Sequence, residues 1–354
     1  MKLHNFSAGP SILPKEVMHQ AAEAVKELDN SKLSLIEISH RSKAFMDIMD
    51  EACERALRLT GLENKGYKAL FLQGGASLQF LMAAYNLLET KAGYLNTGTW
   101  SDKAIKEAKL FGEVVEVASS KDQNYNYIPK EYSIPSKLDY LHLTTNNTIF
   151  GTQYKKIPEA DTSLVADMSS DIFSRTFDYS KFDLFYAGAQ KNMGPAGTTL
   201  VIVKESILGN VSRSIPSMLD YKIQADKDSM FNTPPVFPVY TSMLNMRWIE
   251  AQGGIKALGE KNAVKAALIY GEIDRNSLFE GFANKEDRSE MNATFNLKDS
   301  ALSEAFDGLC QTAGISGLKG HRSVGGYRAS MYNALPIESV EVLVNCMQIL
   351  EEKY

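Results

Sequence analysis

The chain has 354 residues, 44% apolar and 23% charged, with 38 basic against 43 acidic side chains and a formal net charge of −5. The length suits one large domain plus a smaller one, and the composition is that of a soluble globular protein. The charge balance argues against a nucleic-acid footprint, which needs clustered excess lysine and arginine, but it permits an anionic small substrate held by a few convergent arginines.

Pro14 sits where a helix would begin, and Val17, Ala21, Ala24, Val25 and Leu28 follow at helical spacing. A second helix is predicted from about Lys43 to Thr60, with Phe45, Ile48, Met49, Ala52, Ala56 and Leu59 on one face and Gly61 as its stop. Ala69–Leu72 reads as a buried strand, Gln73-Gly74-Gly75-Ala76-Ser77 as a turn, and Leu78–Leu88 as a helix. Further strands are predicted at Val114–Val117, Tyr140–Thr144, Leu164–Ala166, Leu184–Tyr186 and Thr199–Val203, with a helix at Asp102–Phe111. Such alternation implies an α/β domain with a mainly parallel sheet, which binds ligands at the carboxyl ends of its strands. The Gly74-Gly75, Asp167 and Gly188 segments all fall there.

Beyond Gly253-Gly254 the pattern becomes helix, strand, helix, strand, helix, with strands at Ala293–Leu297 and Tyr327–Tyr332 and a last helix from Pro336 to near Glu352. We therefore expect a large domain over 16–252 and a smaller α+β domain made of 1–15 and 253–354. No apolar run approaches the roughly 20 residues of a membrane span, and Met1–Phe6 lacks a signal-peptide core, so a cytoplasmic location is expected. Cys53, Cys310 and Cys346 are too widely spaced for a disulfide framework or a zinc site, and the histidines at 4, 19, 40, 142 and 321 show no ligand spacing; no metal is expected.

The chemistry centres on Lys191, in the small-residue turn Gly188-Ala189-Gln190-Lys191-Asn192-Met193-Gly194-Pro195-Ala196-Gly197. A partly desolvated amine there can bind an aldehyde cofactor covalently and shuttle a proton. Asp167 ends the apolar strand 24 residues earlier, where a carboxylate can hold a pyridine nitrogen protonated. Together they fit a pyridoxal-phosphate (PLP) enzyme, although Asp167 followed by Ser169 and Ser170 also reads as a helix N-cap. Gly74-Gly75-Ala76-Ser77 joins strand to helix as an anion site for a phosphate, and Trp100 at a loop-to-helix junction can stack on a ring or simply pack. Arg41 after His40, Arg322 after His321, and Arg328 suggest a substrate with more than one anionic group.

With those residues, the chain resembles the phosphoserine aminotransferases, fold-type I, class V PLP enzymes. The likeness runs through Asn5-Phe6-Ser7-Ala8-Gly9-Pro10, Ser39-His40-Arg41, Gly188–Asn192, Phe231-Asn232-Thr233-Pro234-Pro235 and Lys319-Gly320-His321-Arg322 with Arg328. It implies a homodimer with shared active sites. Trp100 would stack on the cofactor ring, Thr148 and Asp167 would contact the pyridine, and Ala76, Ser77 and Gln190 would hold its phosphate. Asn232 and Thr233 would reach that phosphate from the second chain, and His40, Arg41, His321, Arg322 and Arg328 would form the substrate pocket. Some members carry a glycine–arginine pair where this chain has Ala76-Ser77, so a cation is missing there. The implied reaction passes an amino group between glutamate and 3-phosphohydroxypyruvate, giving 2-oxoglutarate and O-phosphoserine in serine biosynthesis. Some members also act on 4-phosphohydroxy-L-threonine in pyridoxine biosynthesis. Alternatives are a class V aminotransferase for a non-phosphorylated amino acid, a cysteine desulfurase (which Cys310, inside the helix predicted at Leu302–Ala313, disfavours) and a non-catalytic relative.

Overall fold

The computed structural model describes residues 3–322 and 324–354, so Met1 and Lys2 of the N-terminal run lie outside it. The elements, in order, are β1 (His4–Asn5), α1 (Lys15–Lys26), α2 (Lys43–Thr60), β2 (Tyr67–Leu72), α3 (Gly75–Leu87), β3 (Lys91–Asn96), α4 (Thr99–Ala108) and β4 (Glu113–Ser119). Then come β5 (Tyr140–Thr144), β6 (Asn146–Asn147), β7 (Thr152–Gln153), β8 (Ser163–Asp167), β9 (Leu184–Gly188) and β10 (Thr199–Lys204). The chain continues through α5 (Tyr221–Asp226), α6 (Val236–Ala251), α7 (Gly254–Arg275), β11 (Phe279–Gly281) and β12 (Asn292–Leu297). It ends with α8 (Ser303–Thr312), β13 (Ile315–Ser316), β14 (Tyr327–Ser330) and α9 (Ile337–Lys353).

Capping explains the sharp ends of α2. Ser42 Oγ accepts the Phe45 N–H, while Gly61, at φ +66°, turns its N–H back to the Arg58 and Leu57 carbonyls. In α1, Pro14 stands just ahead of the first turn, where its missing N–H costs nothing.

A seven-stranded sheet in the order β2-β10-β9-β8-β5-β3-β4 organises the larger part of the chain. Every neighbouring pair is parallel except those of β10, which runs antiparallel to both β2 and β9. Period-two alternation splits its side chains between two cores. Ala69, Phe71, Leu164, Ala166, Phe185, Ala187, Leu200 and Ile202 face one core with residues of α1, α2 and α6. Leu70, Leu72, Val165, Leu184, Tyr186, Val201 and Val203 face the other, with residues of α3 and α4. A third cluster joins Phe6 to buried residues of α7, α8, α9 and the antiparallel sheet β11-β12-β14. β1 pairs in parallel with β13, His4 opposite Ile315.

The sequence pattern predicts neither β3 nor α6, nor the short elements β1, β6, β7, α5, β11 and β13. β3 is interrupted by Gly93, where an added Cβ would meet Leu138, Val117 and Leu141 side chains at 2.7, 3.0 and 3.1 Å, so close packing rather than strand propensity chose the residue. In α6, Val239, Thr241, Ser242, Met243, Leu244, Asn245, Met246 and Ile249 are all buried, leaving no one-sided apolar stripe to read. Several boundaries also moved. α3 starts at Gly75 rather than Leu78, which puts Ala76 and Ser77 in a helical turn, α4 runs over Thr99–Ala108 rather than Asp102–Phe111, and β14 stops at Ser330 rather than Tyr332.

Candidate active site

β8 and β9 lie side by side and deliver Asp167 and Gly188 to one edge of the sheet. Asp167 is buried, and its Oδ1 accepts the Ser169 N–H at 2.9 Å, so the N-cap-like turn is real but occupies only one carboxylate oxygen. After Gly188 the chain turns tightly. The N–H groups of Met193 and Gly194 return to the Ala189 carbonyl at 3.2 and 2.7 Å, and the Ala189 N–H meets Thr198 O at 3.1 Å. This turn presents Lys191 inward.

Lys191 Nζ donates to Thr148 Oγ1 at 2.9 Å and lies 5.5 Å from the centre of the Trp100 ring. Burial pushes its pKa below the usual lysine value; the Asp167 charge opposes that, the Arg328 charge reinforces it, and Asp171 opposes it again. A buried amine with a depressed pKa is the form needed for a nucleophile and proton carrier. The N-terminal segment closes over it. A Cβ on Gly9 would lie 3.3 Å from Lys191 Cγ, the Ser11 N–H donates to Gln190 O at 2.9 Å, and the Ser11 hydroxyl donates to Lys191 O.

Arg328 enters from β14, where it faces Thr294 across the ladder. Its Nη1 makes a long contact of 3.4 Å to Thr148 O, and its buried Nε has no hydrogen-bond partner among the described residues. Trp100 Nε1, in the first turn of α4, is likewise buried without one. His321 lies in a tight turn whose carbonyl accepts the Val324 and Gly325 N–H groups, both at 2.9 Å. Burial, then the charges of Arg328, Arg322 and Lys103, push His321 below the ordinary histidine range, so a neutral ring faces a cationic rim. Arg322 itself is exposed.

At β2 the chain enters α3 through Gly74 and Gly75, at φ +95° and +67°, with no side chain capping the helix. The first-turn N–H groups, including those of Ala76 and Ser77, are therefore open to an anion. Gln190 folds back under this edge, since a Cβ on Gly188 would lie 2.9 Å from its amide.

Thus the structure brings Lys191, Thr148, Trp100 and Arg328 into direct contact, with Asp167 and His321 coupled to them through charge. Among the described residues no hydrogen bond or ion pair joins His40, Arg41, Asn232 or Thr233 to that group. The Arg41 N–H bonds Ser39 Oγ at 3.2 Å, and Thr233 O accepts from Gln73 Nε2 at 2.9 Å. Arg41, Asn232 and Thr233 are exposed. Sequence reasoning missed Ser11 and Lys103. Lys103, whose Nζ lies 4.8 Å from the Trp100 ring centre, is three residues from that tryptophan on one helix face, which spacing alone could have shown.

The class-V aminotransferase family model matches residues 3–343. The phosphoserine aminotransferase of Flavobacterium psychrophilum is 63% identical over 355 residues, covering 100% of both chains, and that of Bacteroides fragilis is 55% identical over 99% of both. The chain belongs to the phosphoserine aminotransferase family. Solved structures of this family superpose closely. A phosphoserine aminotransferase from Bacillus circulans subsp. alkalophilus gives a TM-score of 0.96 at 43% identity, covering 99% of each chain. A PLP-bound one from Trichomonas vaginalis gives 0.93 at 37% identity, covering 98% of this chain and 100% of that one. Membership makes this chain an aminotransferase of fold-type I, and PLP is its cofactor.

Proposed function

We propose that the chain catalyses the reversible transamination of O-phospho-L-serine and 2-oxoglutarate to 3-phosphohydroxypyruvate and L-glutamate, the step of serine biosynthesis for which its relatives are named. The observation that carries the residue assignment is a half-buried Lys191 whose amine is held by Thr148, under Trp100, with the Asp167 charge acting on it and the open Arg328 fork beside it.

When bound, PLP supplies a conjugated ring that accepts the electron pair left at the substrate α-carbon. Lys191 Nζ would hold the cofactor and, once the substrate amine has displaced it, would take and return the α-proton, with Thr148 Oγ1 fixing its position. The free oxygen of Asp167 would hold the pyridine nitrogen protonated, and Trp100 would cover the ring and keep water away. The uncapped α3 turn at Ala76 and Ser77, with Gln190, would receive the cofactor phosphate. Asn232 and Thr233, exposed in one chain, complete that site from a second copy in a homodimer. Arg328, Arg322 and neutral His321 bind the anionic ends of phosphoserine, glutamate and 2-oxoglutarate, with His40 and Arg41 joining across the same dimer. Several donors are needed because one pocket accepts a phosphate and a carboxylate in alternate half-reactions.

We also read the chain as a large unit of 16–252 and a smaller one of 1–15 with 253–354, because β1 pairs with β13 and Phe6 packs in the C-terminal core. Among the described residues no helix is long and apolar enough to cross a membrane, which fits a cytoplasmic enzyme. The test has two arms. Purified protein loaded with PLP should be yellow, and Lys191→Ala should abolish both the colour and turnover. A coupled assay with 2-oxoglutarate should favour phosphoserine over serine; equal rates would point to a non-phosphorylated substrate.

A further inference from the structure

Three consecutive carbonyls just past the acid-bearing strand are capped by three asparagines from distant parts of the chain. Asn192 Nδ2 donates to Ile172 O at 2.5 Å, Asn333 Nδ2 to Phe173 O at 2.9 Å, and Asn262 Nδ2 to Ser174 O at 2.8 Å. The amides are also linked to one another. Asn192 Oδ1 accepts the backbone N–H of Asn333 at 2.9 Å, and Asn333 Oδ1 accepts from Asn262 Nδ2 at 2.8 Å. All three asparagines are buried, so water cannot easily replace a missing donor.

The turn they hold is a strained one. Phe173 is fully buried and has φ +57°, a left-handed conformation that a bulky residue adopts only when its surroundings enforce it. Left without its amides, this turn would relax toward ordinary backbone geometry and shift what is attached to it. Two functional groups are attached. Asp167 leads into the turn, with the Met168 N–H pinned to Tyr186 O at 2.8 Å and the Ile172 N–H to Met168 O at 2.8 Å. Asn192 follows Lys191 directly, and its carbonyl accepts from Asn245 Nδ2 at 3.3 Å.

The third asparagine reaches the C-terminal segment. Lys265, on α7 three residues beyond Asn262, sets its buried Nζ among the carbonyls of Met331, Tyr332 and Leu335 at 3.0, 2.9 and 3.1 Å. That grip fixes the chain around Asn333. Tyr332 in turn donates its hydroxyl to Ala8 O at 2.8 Å, next to the glycine that packs on Lys191.

We propose that Asn192, Asn262 and Asn333 are positioning residues: a buried amide clamp that sets the spacing between the Lys191 amine and the Asp167 carboxylate and ties it to the C-terminal segment. The inference rests on the roles given to Lys191 and Asp167 above. None of the three touches substrate or cofactor, so their effect is read through the groups they hold.

The test uses PLP-loaded Asn333→Ala and Asn262→Ala, which remove the donors to Phe173 O and to Ser174 O without adding a charge. Each should lower kcat by roughly tenfold to a hundredfold, with KM for phosphoserine within about twofold, because displacement of about an ångström acts on the chemical step. Each should also move the pH midpoint of the visible absorbance by about half a unit or more. A folded variant in which either readout stays at the wild-type value overturns the proposal, whatever happens to its melting temperature. Should both variants fail to fold, hydrogen exchange on the wild-type holoenzyme decides. The Asn333 amide should exchange as slowly as those of β8 and β9, and fast exchange would overturn the clamp. A colourless wild type would sink the PLP reading instead, so the two failures are distinguishable.

Discussion

Replacing Arg328 by methionine separates substrate binding from stability at one position. The guanidinium is half-buried, and among the described residues its Nε has no partner and its one side-chain hydrogen bond is the 3.4 Å contact to Thr148 O. Two donors of the fork are thus available to an anion. At about 1.5 kcal/mol for each charge-assisted bond, losing two costs about 3 kcal/mol, or roughly a hundredfold in kcat/KM for phosphoserine. Arg328→Lys keeps the charge but not the fork and should fall between. Stability should not follow activity. Methionine replaces the apolar stem and removes a cation whose burial is uncompensated, so the melting temperature should stay within a few degrees of wild type or rise. A second effect has a fixed sign. The Arg328 charge adds to the burial that pushes Lys191 down, so its removal should raise the pH at which the Lys191 amine of cofactor-free protein becomes reactive. Steady-state kinetics with phosphoserine and pH-resolved amine labelling followed by mass spectrometry measure both. A kcat/KM within about twofold of wild type, equivalent to about 0.4 kcal/mol, would refute the placement of Arg328 in the anion pocket.

Other perturbations follow from the packing. The Glu51 carboxylate takes 2.6 Å bonds from both Nε and Nη2 of Arg247 and from Arg55 Nε; Arg247 chiefly, then Arg55, hold it down to about 2 against the opposing effect of burial. A folded value below the unfolded one of about 4.3 stabilises the protein above that pH, and the benefit disappears as pH falls toward 2. Glu51→Gln should therefore be less stable near neutrality and lose less melting temperature between about pH 5 and pH 3. Parallel curves for the two proteins would contradict the ion-pair assignment. At Gly194, in the lysine turn, an added Cβ would overlap Ser242 Oγ and sit 3.3 Å from its Cα. Gly194→Ala should cost about 1–3 kcal/mol in chemical denaturation. Adding Ser242→Ala, which removes the colliding oxygen without putting a glycine inside α6, should recover part of the loss, and a double variant no more stable than the single one would show that the collision is not the cause.

Much of the site could be read from residues alone because its chemistry is local in sequence. Lys191 amid glycines and alanines, and Asp167 closing an apolar run, are one-dimensional signals of strand ends and an amine-bearing turn. The strands with unbroken apolar runs, such as the one at Leu184–Tyr186, were equally legible, since burial on both faces leaves no polar alternation to misread. β3 was not, because Gly93 answers to three neighbouring side chains far away in the sequence. The same applies to Ser11, Lys103 and the asparagines. An asparagine that caps a carbonyl about 160 residues away, as Asn333 does for Phe173, leaves no periodicity behind. Nothing in the residues around Lys265 shows that its amine lies among three carbonyls more than 60 residues away.

The reversed strand β10 has a consequence for how this protein assembles itself. Only ten residues separate the end of β9 at Gly188 from the start of β10 at Thr199, whereas the other neighbours in the seven-stranded sheet are joined by longer excursions. Closing a short loop loses the least chain entropy, so this hairpin is the pairing most readily made in the nascent sheet. The bend bearing Lys191 thus sits in the connection between paired strands that costs this sheet the least entropy to close.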